Sequence, residues 1–138
     1  MRVKLLQVVA VAVVAILAAL FAVFGTMALR DGVWPAGRDA LGFAAAIALT
    51  GAVLVTALHW PALGGLRRRG VALGPWPAGL VAALGLNAPV YAVLAVIGRD
   101  RSLFARDEAA FLGLGFAVIG WVFGAGYATI HRQPAARG

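Results

Sequence analysis

The chain contains no cysteine, so disulfides, thiolate-bound zinc, iron–sulfur clusters and covalently attached haem have nothing to build on. Charge is scarce too: 12% of the 138 residues are charged and 63% are hydrophobic. A soluble domain of this length has too little interior to hide that much apolar surface, whereas a bilayer lets it face lipid. Asp107 and Glu108, read as a paired acid/base site, have no supporting nucleophile, since the only serine is Ser102 in the same short loop, which argues against hydrolytic chemistry. Walker loops, dinucleotide fingerprints and metal-ligand spacings are absent as well. No Asp, Glu, Lys or Arg falls within the apolar core of any long segment, so the embedded carboxylate on which four-helix multidrug exporters usually depend is missing.

What charge there is falls unevenly. The acids Asp31, Asp39, Asp100, Asp107 and Glu108 share their stretches of chain with Arg30, Arg38, Arg99, Arg101 and Arg106, and these balance. Arg2, Lys4, Arg67, Arg68, Arg69, Arg132 and Arg137 have no acidic company, and they account for the whole net charge of +7. Short basic segments that stay in the cytoplasm orient neighbouring helices, so this distribution predicts both termini and the Arg67–Arg69 run inside. The basic balance is thereby explained without nucleic acid, whose binding would want polar and aromatic partners on a soluble scaffold. Arg67, Arg68 and Arg69 are expected to meet anionic lipid headgroups instead.

Four apolar stretches are each long enough to span a bilayer: about 3–29, 40–60, 76–98 and 108–130. The first has an apolar run about twice the length of a signal peptide's, so despite Thr26-Met27-Ala28 it is expected to remain as an uncleaved helix. Trp34, Trp60 and Trp76 mark headgroup levels. Asp39 is positioned to cap the second helix, His59-Trp60-Pro61 to end it, and residues 61–75 to form a cytoplasmic loop. Pro89 should bend the third helix by leaving the Gly85 carbonyl without its usual donor. On the fourth, Ala110, Gly113, Ala117, Gly120, Gly124 and Ala128 form a stripe of small residues suited to close helix packing. The second is also rich in small residues, from Gly42 to Ala52, so one of the two faces would be left to seek a partner. Leu41-Gly42-Phe43-Ala44 reappears as Leu114-Gly115-Phe116-Ala117, and Gly51-Ala52 as Gly124-Ala125, which suggests two tandem helical hairpins.

Asn87 is the conspicuous polar residue at depth, with Tyr91 one turn on. An antiparallel pairing of the third and fourth helices about Ser102 sets Asn87 level with Val118, within a turn of Trp121. A bond from the Trp121 indole to the Asn87 carbonyl follows, making Asn87, Tyr91 and Trp121 an intramembrane polar cluster that either glues helices or lines a small cavity. His59 and His131 are placed at wetted helix ends, too shallow for the haem ligation that paired histidines can otherwise provide. The sequence thus predicts an all-α, four-helix transmembrane bundle in a bacterial-type inner membrane, without cofactor or metal. Its expected partners are the bilayer and another membrane protein or a second copy of itself. Acting by helix packing is the primary expectation; passage of an uncharged or lipid-like solute along the third helix is the alternative.

Overall fold

A computed structural model describes residues 2–71, 74–99 and 108–131. No strand occurs among them. The described residues form four helices: α1 (Arg2–Asp31), α2 (37–68), α3 (Pro75–Ile97) and α4 (Glu108–Ile130). Each is long and apolar enough to cross a membrane, with spans of 22 to 29 residues. At 1.5 Å per residue these are about 33–44 Å long, enough for the hydrocarbon core. Backbone groups in lipid must find partners within their own segment, which is why apolar runs of this length become helices.

α2 does not stop at Trp60. It continues through Pro61 to Arg68, so the expected loop 61–75 contracts to the few residues after Arg69. A π-helical turn, Val55–His59, precedes the proline and accounts for this continuity. Proline clashes with the carbonyl four residues back and lacks an amide hydrogen; a locally wider turn absorbs both problems. The helix then ends in a Schellman arrangement: Gly70 takes φ +81°, its N–H reaches the Arg67 carbonyl at 3.1 Å, and that of Val71 reaches Leu66 at 3.0 Å. Arg67 and Arg68 therefore occupy a last helical turn, at the negative end of the helix dipole, rather than a loose loop. At the other end α2 begins at Gly37, flanked by Ala36, so residue 39 lies inside the first turn and not at the cap.

α3 contains a second π segment, Val81–Leu86, just ahead of Asn87 and Pro89. Regular α geometry is interrupted where the proline was expected to bend the helix, and the Asn87 backbone N–H itself takes the Gly85 carbonyl. α4, which carries the second copies of the α2 motifs, is ordinary α-helix from Glu108 to Ile130, without a π turn among its described residues. Ser102 and its neighbours, and Arg132 and Arg137, lie outside the described residues.

α4 is the axis of the bundle. Towards α1 and α2 it presents Gly115, packed on Val23 and Ile47; Ile119, packed on Gly51; and Gly126, packed on Val11. α1 answers with Val8, Ala15, Ala19 and Val23, all buried on one stripe. Towards α3, glycine lets the backbones nearly touch: a Cβ on Gly124 would lie 2.5 Å from the Ala78 carbonyl oxygen, and one on Gly120 3.0 Å from the Ala83 Cα. Dispersion between closely approaching backbones is what holds helices together where lipid supplies no hydrophobic drive.

Candidate functional site

The polar residues of the core converge where the two π segments face each other. His59 closes the π turn of α2, Asn87 follows that of α3, and both side chains are completely buried. The His59 Nε2 and Asn87 Oδ1 are 2.7 Å apart. The Asn87 amide nitrogen donates to the Phe116 backbone carbonyl on α4 at 2.8 Å and to the Tyr91 hydroxyl at 3.3 Å. Tyr91 in turn donates to the Ala83 carbonyl. One asparagine thus ties three helices together.

The sequence placed His59 at the headgroups because it ended α2 at Trp60. With α2 extended, nine more helical residues follow the histidine, about 13 Å of helix. Its partner Asn87 stands near the middle of the α3 span. His59 is therefore an ionisable side chain inside the bundle, the kind of group whose absence the hydropathy pattern implied. The signal that locates it is the absence of a helix stop between Pro61 and Gly70, since Gly64 and Gly65 alone do not end a helix whose proline has been absorbed.

Asn87 contacts α4 between Phe116 and Gly120, which brackets Val118. The facing residue is not Trp121. That side chain is 44% exposed, lies against Trp76 with ring centres 5.4 Å apart, and covers Gly79. Being one residue beyond Gly120, it is turned about 100° around the helix, away from the asparagine. The Asn87 carbonyl meets His59 in its place. Of the small-residue stripe, Gly120 and Gly124 are buried against α3, Gly113 makes only an ordinary contact with Leu94, Ala117 and Ala128 are half-buried, and Ala110 is exposed.

From His59 a ladder of rings descends α4. The imidazole stacks on Phe123 at 6.3 Å, Phe123 meets Tyr127 at 6.0 Å, and Tyr127 meets His131 at 4.4 Å. Two aromatic rings therefore separate the histidines, which do not converge on a common point as bis-histidine haem ligands would. Among the described residues, no group of three or more His, Asp or Glu side chains could hold a metal ion. Arg67, Arg68 and Arg69 are exposed at the end of α2, and at the far end of the bundle Arg30 pairs with Asp31 at 2.9 Å while lying over the Phe111 ring at 4.8 Å.

Comparison with protein-family models, with curated proteins and with solved structures yields no match to this chain.

Proposed function

We propose that this small multi-pass membrane protein works by transmembrane helix packing rather than by catalysis, as a homo-oligomer or as an accessory subunit of a larger membrane complex. The observation that carries the reading is the outer face of α2. Gly42, Ala45, Ala46, Ala52 and Thr56 lie on one exposed side of the helix, with Leu41 at its edge and Leu49 and Val53, at 70% and 61% exposure, among them. α4 uses its glycines inside the bundle, whereas α2 carries these small residues outward beside Leu49 and Val53, a face of small and large side chains against which another helix can pack. A second copy is the simplest occupant, because one face can pair with itself about a two-fold axis.

The cysteine-free chain makes the test direct. Single cysteines at Ala45 or Ala46 should cross-link between copies in native membranes, while one at Leu17 on the lipid face of α1 should not. Replacing Ala45 and Ala46 with leucine should convert the oligomer to monomer in native mass spectrometry. A wild-type monomer, with no cross-link at either alanine, would remove the homo-oligomer; a stoichiometric second membrane protein lost in the leucine variant would favour the subunit form.

The charge distribution supports an inner-membrane orientation with both termini cytoplasmic and with Arg67, Arg68 and Arg69 among the lipid headgroups. Moving those arginines to the 30–38 connection should disturb or invert insertion, and external labelling of the native Arg67–Arg69 end would refute the orientation. The second reading, passage of an uncharged or lipid-like solute along α3, is favoured by one feature, the interruption of that helix beside the His59–Asn87–Tyr91 chain. Permeability of reconstituted vesicles that falls in an Asn87→Leu variant of intact fold would support it over the packing reading.

A further inference from the structure

The hydrogen-bond chain fixes more than the position of His59. Its far ends are backbone carbonyls, which only accept: Phe116 takes a hydrogen from the Asn87 amide and Ala83 takes one from the Tyr91 hydroxyl. The Asn87 amide nitrogen therefore faces Phe116 and Tyr91, and its carbonyl faces His59. A carbonyl cannot donate, so the histidine must carry its hydrogen on Nε2. Nδ1 is left with a bare lone pair. It is fully buried and has no hydrogen-bond partner among the described residues.

A buried acceptor without a donor is costly, which makes it a binding point for whatever can supply a hydrogen. Water and hydroxyl groups need room beside the acceptor, and Nδ1 exposes essentially no surface to a water-sized sphere. A proton needs far less room. We infer that His59 Nδ1 is a proton-binding site at the centre of the bundle, and that occupying it loosens the contact between the two π turns.

The loosening follows from the same accounting. Protonation leaves the Nε2–H bond to Asn87 intact but gives Nδ1 a hydrogen with no acceptor to receive it, and puts a charge in a dry core. Among the described residues, the side chains around the ring offer no compensating acid. α3 contributes Asn87 and Tyr91, and α4 contributes Phe123 and, a turn on, Tyr127. The buried face of α1, Val8, Ala15, Ala19 and Val23, carries no ionisable group. The Phe123 ring lies against the imidazole. The imidazolium is accommodated by opening the π-turn contact to water, so the site converts a proton into a movement of α2 against α3. This inference is independent of oligomeric state and of any solute.

The test uses the full chain in nanodiscs of neutral lipid, labelled at its two histidines, with His131→Gln to assign the signals. Near neutral pH, His59 should show the Nε2–H tautomer by nitrogen chemical shift. Acidification to about pH 4 should bring the imidazolium signature and, with it, a roughly five- to hundredfold loss of amide exchange protection confined to residues 55–59 and 81–86. His59→Gln keeps a donor for Asn87 but cannot take up a proton, and its protection should not respond to acid. An Nδ1–H tautomer, a neutral His59 throughout the range, protonation without local loss of protection, or the same acid response in His59→Gln would each overturn the inference.

Discussion

Asn87→Leu is the substitution that tests the architecture most directly, because one side chain serves both neighbouring helices. It removes the acceptor of the His59 Nε2–H and the donor to the Phe116 carbonyl. Interhelical hydrogen bonds in membranes average about 0.6 kcal/mol each and reach about 1.7, so two of them amount to roughly 1–3 kcal/mol. The His59 N–H is then stranded in a core that admits no water, which adds about 1–3 kcal/mol. The expected loss is thus about 2–6 kcal/mol, a large part of the stability of a small bundle. Reversible unfolding in mixed detergent micelles measures it, and the double-mutant cycle of Asn87→Leu with His59→Leu isolates the coupling. Removing both partners strands neither, so the double variant should be more stable than the sum of the single losses implies, by about 1 kcal/mol or more. A loss under about 0.5 kcal/mol for Asn87→Leu, or additive single effects, would refute a network that ties the helices together.

The glycines of α4 separate in the same assay. Gly124→Ala puts a methyl against the Ala78 carbonyl and should cost about 1–3 kcal/mol by forcing α3 and α4 apart, while Gly113→Ala meets only a side-chain methyl at 4.0 Å and should be close to neutral. Trp121→Leu should leave the His59–Asn87 bond and its tautomer signal unchanged, since the indole lies against Trp76 on the outer face; a shifted His59 signal would count against that placement. Gly70→Ala forces a Cβ into the left-handed region and should fray the Arg67–Arg69 end by about 1–2 kcal/mol, seen as faster amide exchange at Gly70 and Val71.

Hydropathy made the four spans legible because lipid leaves a long apolar segment no alternative to helix. Asn87 and Tyr91 could be singled out for a similar reason: a polar side chain at that depth must have partners, and one turn of helix puts these two on the same side. Two things were not legible. Whether Pro61 ends a helix depends on whether the turn before it widens, and nothing in Val55-Thr56-Ala57-Leu58-His59 announces a π turn. That single ambiguity moved His59 from the headgroups to the core. The face that α4 turns to Asn87 was the other: Gly120 and Trp121 both lie within one turn along the axis, and the choice between them rests on how tightly the α3 and α4 backbones approach. A tryptophan invites a hydrogen-bond assignment, yet glycine at that position is what lets the asparagine reach the Phe116 carbonyl.

The packing is unequal in a way that bears on movement. α4 meets α3 backbone to backbone at Gly120 and Gly124, a contact with little slack because no side chain can swing aside, and meets α1 through the Val23 and Val11 side chains seated on Gly115 and Gly126. α2 reaches α4 largely through side chains, Gly51 beneath Ile119 and His59 beside Phe123, and meets α3 where the two π turns lie together. Side-chain contacts can repack and π turns are sites where a helix can change its register at small cost. α3 and α4 therefore form the tightest pair of the bundle, and α2 is the neighbour able to shift against them, held by the His59–Asn87 bond. Its outer face is the one rich in small residues, so a change at the buried imidazole and a change in whatever packs against Ala45 and Ala46 are two ends of one helix. If so, the Ala46 cross-link should weaken as His59 takes up its proton in the wild type and stay constant in His59→Gln; a cross-link indifferent to pH in both would show that the two faces of α2 act independently.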